Sequence, residues 1–94
     1  MKRYSIIASG RVQGVGFRAY VQEIAYEMDI HGWVRNLPDG TVEIEAEGDD
    51  EKVMKFITAI RNSNHTYIQV QAIDTRSIPC TGDQGFIIKR FQNL

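Results

Sequence analysis

The chain has little of several things that announce a function. It carries one cysteine, Cys80, no apolar run of bilayer-spanning length, and almost no net charge. A lone thiol excludes an internal disulfide framework and any multi-cysteine metal or cluster site. Without a stretch of roughly 20 apolar residues there is no spanning helix. Met1-Lys2-Arg3 opens with charge, but Tyr4-Ser5-Ile6-Ile7-Ala8-Ser9 is too short and too polar for a signal-peptide core. The expectation is a cytoplasmic protein with no membrane partner. Eleven Lys and Arg against twelve Asp and Glu leave a net charge of -1, so no global basic field exists to capture nucleic acid. What the chain does have is glycine: eight residues, three of them between Gly10 and Gly16.

Length and patterning describe one domain covering residues 1–94, with 43% hydrophobic and 24% charged residues, as in folded globular chains. The charge is uneven. Residues 1–35 hold five bases against three acids, residues 36–55 hold seven acids against two bases, and residues 56–94 hold four bases against two acids. The glycine-rich third is therefore mildly cationic. There is no internal linker, low-complexity segment or short-period repeat.

Periodicity supplies the elements. Tyr4 to Ser9 alternates as a strand that ends at Gly10. Val21, Ile24, Ala25 and Met28 share one face of a helix over about residues 18–29. Gly32 to Leu37 is a second strand, and Pro38-Asp39-Gly40 a tight turn. In Thr41 to Glu47, Val42, Ile44 and Ala46 face one way and Glu43, Glu45 and Glu47 the other, which predicts one buried and one solvated face. Asp49 caps a second helix whose buried stripe is Val53, Phe56, Ile57 and Ile60. Arg61 to Thr66 is a polar connection. Ile68, Val70 and Ala72 mark a fourth strand, and Phe86 to Phe91 a short last one. This order, βαββαβ plus a final strand, predicts an α+β ferredoxin-like sandwich with two helices on one face of an antiparallel sheet.

Gly10-Arg11-Val12-Gln13-Gly14-Val15-Gly16-Phe17-Arg18 joins the first strand to the first helix. Glycines at 10, 14 and 16 allow backbone N–H groups to converge on an anion. The helix that follows adds free N–H groups and a positive dipole end. Arg18, in the first helical turn, can reach back to the same place. Spacing alone equally allows a glycine-rich connection with a solvated arginine. It is neither a P-loop nor a dinucleotide fingerprint, since no Gly-Lys-Ser/Thr ending or parallel βαβ series follows.

Taken together with Gly32-Trp-Val-Arg-Asn-Leu-Pro-Asp-Gly-Thr-Val-Glu-Ile-Glu-Ala-Glu-Gly48, this loop closely resembles the two signatures of the acylphosphatase family, and element order and length agree over nearly the whole chain. The resemblance implies a sandwich of ferredoxin-like topology that hydrolyses the carboxyl-phosphate bond of acyl phosphates without metal or other cofactor. By position it implies a substrate-binding role for Arg18 and a water-orienting role for Asn36. A backbone phosphate cradle is implied for Arg11, Val12, Gln13, Gly14, Val15, Gly16 and Phe17. The partners it implies are a small acyl phosphate and inorganic phosphate, with no nucleic acid, bound by a monomer. A non-catalytic phosphate- or metabolite-binding regulatory module of the same topology is the alternative. Acylphosphatase-like domains also open larger hydrogenase-maturation carbamoyltransferases; a chain starting at Met1 without zinc-finger cysteines favours the stand-alone enzyme.

The side chains suit that chemistry. Asn36 does not titrate, so it can position a water but not deprotonate it. The loop holds no His, Asp or Glu to serve as general acid. Such a site fits a leaving group that needs no proton, and a carboxylate with a conjugate-acid pKa of roughly 4 is one. Other residues read as bystanders. His31 is expected to interact with helix-terminal carbonyls, and His65 to lie on the surface. Neither has a partner at metal-ligand spacing. Cys80 reads as an unactivated loop thiol, and Trp33 and Phe17 as packing residues. An RNA-binding module of similar order needs exposed aromatics on its central strands, where this chain has Glu43, Glu45 and Glu47. The connection at residues 61–66 lacks the glycine and prolines often found in the family, and Leu37 replaces a frequent threonine.

Overall fold

The computed structural model describes residues 1–90. Seven elements appear in the expected order: β1 (Lys2–Arg11), α1 (Phe17–Met28), β2 (His31–Asn36), β3 (Val42–Gly48), α2 (Asp50–Arg61), β4 (Gln69–Ile78) and β5 (Phe86–Ile88). The strands pair in the order β4-β1-β3-β2-β5. β3 is antiparallel to both β1 and β2, and β1 is antiparallel to β4. Both helices cover one face, where Phe17, Val21 and Ala25 of α1 and Val53, Phe56, Ile57 and Ile60 of α2 meet Ile6, Val34 and Ile44 of the sheet. The α2 stripe read from spacing is the buried one, while of the α1 stripe Val21 and Ala25 are buried and Ile24 and Met28 partly so.

The sheet is mixed where a wholly antiparallel one was expected. β5 runs parallel to β2, with Gly32 opposite Phe86 and Val34 opposite Ile88. Parallel neighbours need a crossover, and here the chain crosses from the opposite edge strand, β4, instead of turning in a hairpin. The strand ends at Ile88; its expected continuation to Phe91 lies outside the described residues.

β4 also departs from simple alternation. Val70 is buried and Ile73 half-buried, whereas Ala72 is exposed. The pairing with β1 shifts between Ser9 and Gly10, so Gln71 is an extra residue and the strand's parity flips. Gly10 permits this. It lies in β1 at φ +121°, and a Cβ there would stand 2.4 Å from the Gln69 carbonyl oxygen. Its glycine thus serves the bulge, not the anion loop.

On the face away from the helices, the acidic stripe is not simply solvated. Arg3 is 2% exposed and Glu47 3%. The Arg3 guanidinium donates to Glu45 at 2.9 Å, to Glu47 at 3.0 Å and to Asp83 at 3.1 Å. Glu47 also accepts the backbone N–H groups of Thr81, at 2.8 Å, and Gly82, at 3.1 Å. Burial works against the Arg3 charge, but its three carboxylate partners outweigh that and hold its pKa above the ordinary value. Foremost through the Thr81 N–H, with Arg3 and Gly82 adding, the Glu47 carboxyl is held below the usual range despite burial. The Thr81 hydroxyl, then Arg3, do the same for Asp83.

His31 is likewise placed differently from expectation. It opens β2, and its Nδ1 accepts the Gly85 N–H at 2.8 Å while Nε2 lies 3.2 Å from Asp29 Oδ1. The last turn of α1 is closed by backbone alone, with Ile30 N–H bonding Ala25 at 2.8 Å, and the imidazole turns instead to the Asp29 side chain and the Gly85 N–H. Trp33 sits half-buried on the open face, with the Lys89 ammonium 4.2 Å from its ring centroid and Arg35 at 5.3 Å.

Candidate active site

Strand direction brings the sequence-predicted residues to one end of the sheet. β1 and β2 both run against β3, so they point the same way, and β5 runs with β2. The loop after β1, Asn36 at the end of β2, and the residues after β5 therefore share an edge. Ala8 and Asn36 are both register partners of Val42, which sets them level across the sheet.

The loop is pinned from below and open above. Val12 and Phe17 are each 1% exposed within the core, and Val15 packs against it. Between these anchors Gly14 and Gly16 lie exposed at φ +74° and +81°, where an added Cβ would meet nothing within 4 Å. Gly16 is the N-cap of α1 and supplies no side-chain cap, and the first turn carries no acid. The opening N–H groups of α1 thus lack the side-chain acceptor that usually satisfies one of them. Arg18, in this first turn, forms no ion pair with any described residue. A cavity of about 260 Å³ is lined by Val12, Gly14, Gly16, Phe17, Arg18, Ala19, Ile88 and Arg90. Arg11, Gln13 and Val15 do not line it: Arg11 is an exposed end of β1 opposite Gln69, Val15 faces the core, and Gln13 reaches sideways.

A second cavity, about 770 Å³, is lined by Arg35, Asn36, Leu37, Pro38, Ile88, Lys89 and Arg90. Ile88 and Arg90 wall both, so Arg18 and Asn36 border adjoining spaces. Asn36 Oδ1 is buried and has no hydrogen-bond partner among the described residues, an arrangement that costs stability and so calls for a reason. The turn beyond it is tight. Gly40 N–H bonds the Leu37 carbonyl at 3.2 Å, Leu37 N–H bonds Thr41 at 2.9 Å, and Asp39 takes both the N–H and the hydroxyl of Thr41. The Thr41 hydroxyl, then its N–H, hold the Asp39 carboxyl below its ordinary pKa. Arg35 is occupied by Glu43 at 2.7 Å.

Among the described residues no group of three or more His, Cys, Asp and Glu is placed to hold a metal, and no helix is long and apolar enough to cross a membrane. Cys80 is exposed and free, and His65 is exposed, its ring edge-on to Tyr20 at 4.6 Å.

This arrangement has relatives. The model of the acylphosphatase family matches residues 4–88. The chain belongs to the acylphosphatase family. An acylphosphatase of Methanospirillum hungatei is 53% identical over 90 residues, covering 96% of this chain and 99% of the relative. The crystal structure of acylphosphatase from Bacillus subtilis has a TM-score of 0.89 at 40% identity, covering 95% of this chain and 99% of that one. A T. kodakarensis HypF structure has a TM-score of 0.82 at 39% identity over 95% of this chain, yet only 12% of that protein. The acylphosphatase fold therefore also occurs as a small part of a much larger chain.

Two features of the site escaped the sequence. Ile88, at the end of β5, and Arg90, just beyond it, are spaced by two from Phe86, a pattern visible in the chain, but the parallel pairing beside β2 delivers them to the cavities. The other is the side chain of Gln13, read only for its backbone, whose amide bonds the Leu37 and Thr41 carbonyls.

Proposed function

We propose that the chain hydrolyses acyl phosphates to carboxylate and phosphate without a metal, acting as one monomeric domain in the cytoplasm. The observation that carries the reading is Arg18, without an ion-pair partner among the described residues, at a helix start with no side-chain cap and facing the same cavity as Gly14 and Gly16. Backbone N–H groups of the 11–17 loop and of the start of α1 hold the phosphoryl oxygens, and Arg18 adds a planar two-toothed contact. With Oδ1 buried, the NH₂ of Asn36 is the end available to a water. Donating to that water's oxygen leaves a lone pair for phosphorus and both protons free. The water oxygen bonds to phosphorus as the P–O bond to the acyl group breaks, its electron pair leaving with the carboxylate. One water proton passes to a phosphoryl oxygen. No general acid is needed, and catalysis rests on positioning and on charge stabilisation. A reducing cytoplasm keeps the exposed Cys80 thiol free.

The test is hydrolysis of benzoyl phosphate with excess chelator present. Turnover that survives chelation supports the reading. Phosphate binding without turnover would instead make the chain a non-catalytic binding module, and activity lost to chelator would end the metal-independent mechanism.

A further inference from the structure

We infer that the Gln13 side chain is a positioning residue that sets the distance between the phosphate loop and Asn36. Its Nε2 donates to the carbonyl oxygens of Leu37 and Thr41, each at 2.8 Å. Leu37 directly follows Asn36, and Thr41 directly precedes Val42, the register partner of Asn36. One amide from the loop thus clamps both arms of the hairpin turn at the residue pair just beyond the Asn36–Val42 rung. An amide nitrogen has two hydrogens, and both are used.

Sequence neighbours transmit the restraint. Gln13 lies between Val12, anchored in the core, and Gly14, which lines the phosphate-side cavity. Gln13 itself lines neither cavity. No other side chain among the described residues hydrogen-bonds the loop to the hairpin turn. The two carbonyls already accept backbone bonds within that turn, from Gly40 and Leu37, so the hairpin can close without Gln13. What Gln13 adds is its placement relative to the loop. The inference rests on the proposed roles of Arg18 and Asn36 and assigns the Gln13 side chain no contact with substrate.

The consequence falls on turnover. Attack geometry is steep, and a displacement near 1 Å can cost on the order of 100-fold in rate. Gln13→Met keeps length and approximate volume but donates nothing. It should lower kcat on benzoyl phosphate by about 10- to 100-fold while inorganic phosphate inhibits within about threefold of its wild-type constant. Gln13→Asn keeps the amide but is one methylene too short to span both carbonyls, and should behave alike if the Met variant folds poorly. Combined with Asn36→Ala, the Gln13 change should add little, since the group it positions is gone. Full additivity, an unchanged kcat, or a parallel loss of phosphate affinity would overturn the inference. A wild-type chain inactive on benzoyl phosphate, or an Asn36→Ala variant with normal kcat, would instead overturn the proposed function beneath it.

Discussion

Replacing Arg3 tests whether the far face of the sheet is held by charge. In the native chain a guanidinium 2% exposed serves Glu45, Glu47 and Asp83 at 2.8 to 3.1 Å. Arg3→Ala leaves three carboxylates around a void, one of them, Glu47, only 3% exposed in the native chain. Removing one partner of a buried ion network costs about 3–5 kcal/mol, because the remaining charge stays buried and uncompensated. That is a large share of the roughly 5–15 kcal/mol that holds a domain together. By contrast, Arg35–Glu43 is a surface pair with Arg35 45% exposed, and Arg35→Ala should cost about 0–1 kcal/mol.

The pH dependence separates charge from packing. Glu47 and Asp83 have folded-state pKa values below their unfolded ones. Their contribution is therefore complete above the unfolded carboxylate values, about 4, and is lost as pH falls through the lower folded values. Without Arg3 the three carboxylates repel and part of that depression disappears. The difference in urea-unfolding free energy between wild type and Arg3→Ala should be largest near neutral pH and shrink as the medium is acidified. An effect below about 1 kcal/mol near neutrality, or one of constant size across this range, would refute the electrostatic account and leave only lost packing.

Other variants probe the site and the loop. Arg18→Ala should lower kcat/KM for benzoyl phosphate by about 10²–10³ and leave unfolding within about 0.5 kcal/mol; near-normal activity removes Arg18 from the mechanism. Asn36→Ala should cut kcat far more than phosphate affinity, and because it deletes a buried acceptor without a partner, stability should hold or rise by about 1 kcal/mol. A destabilised Asn36→Ala would mean that Oδ1 has a structural partner. Gly10→Ala should destabilise by about 1–3 kcal/mol through the clash with Gln69, seen as a lower urea midpoint. Gly14→Ala should cost only about 1–2 kcal/mol of backbone strain but raise the phosphate inhibition constant, since its new methyl group enters the cavity.

What the sequence disclosed follows from which forces act locally. Val42, Ile44 and Ala46, or Val53, Phe56, Ile57 and Ile60, are buried as their spacing requires, because one face of each element has to leave water. Asp49 caps α2 as read, accepting the Glu51 N–H at 3.1 Å. Local pattern fails where a distant segment decides. Glu47 looks solvated until Arg3, 44 residues away, and the Thr81–Asp83 turn cover it. Ala72 looks inward until a bulge fixed by Gly10 adds one residue to β4. The fifth strand is legible as a strand, but its direction depends on where the chain re-enters the sheet. That direction is what carries Ile88 and Arg90 to the site.

The two helices make the closing argument. Both span 12 residues, yet their starts are opposites. α2 begins at Asp49, whose carboxylate bonds a backbone N–H, with Asp50 and Glu51 set against the dipole. α1 begins at Gly16 with no side-chain cap and no acid in its first turn, and its arginine has no described ion-pair partner. At φ +81° glycine is the residue that sits easily at position 16, so the sequence forgoes a side-chain cap there, worth about a few tenths of a kcal/mol over glycine. It forgoes more nearby, in the unpartnered Oδ1 of Asn36. The opposite end of β1 shows that the chain is able to match charges thoroughly, since Arg3 has three carboxylate partners. Unmet helix-start donors and the unmet Asn36 acceptor lie together at one edge of the described residues, where a bound anion would complete the donors. Local rules broken together in this way mark a functional site more specifically than any one glycine does.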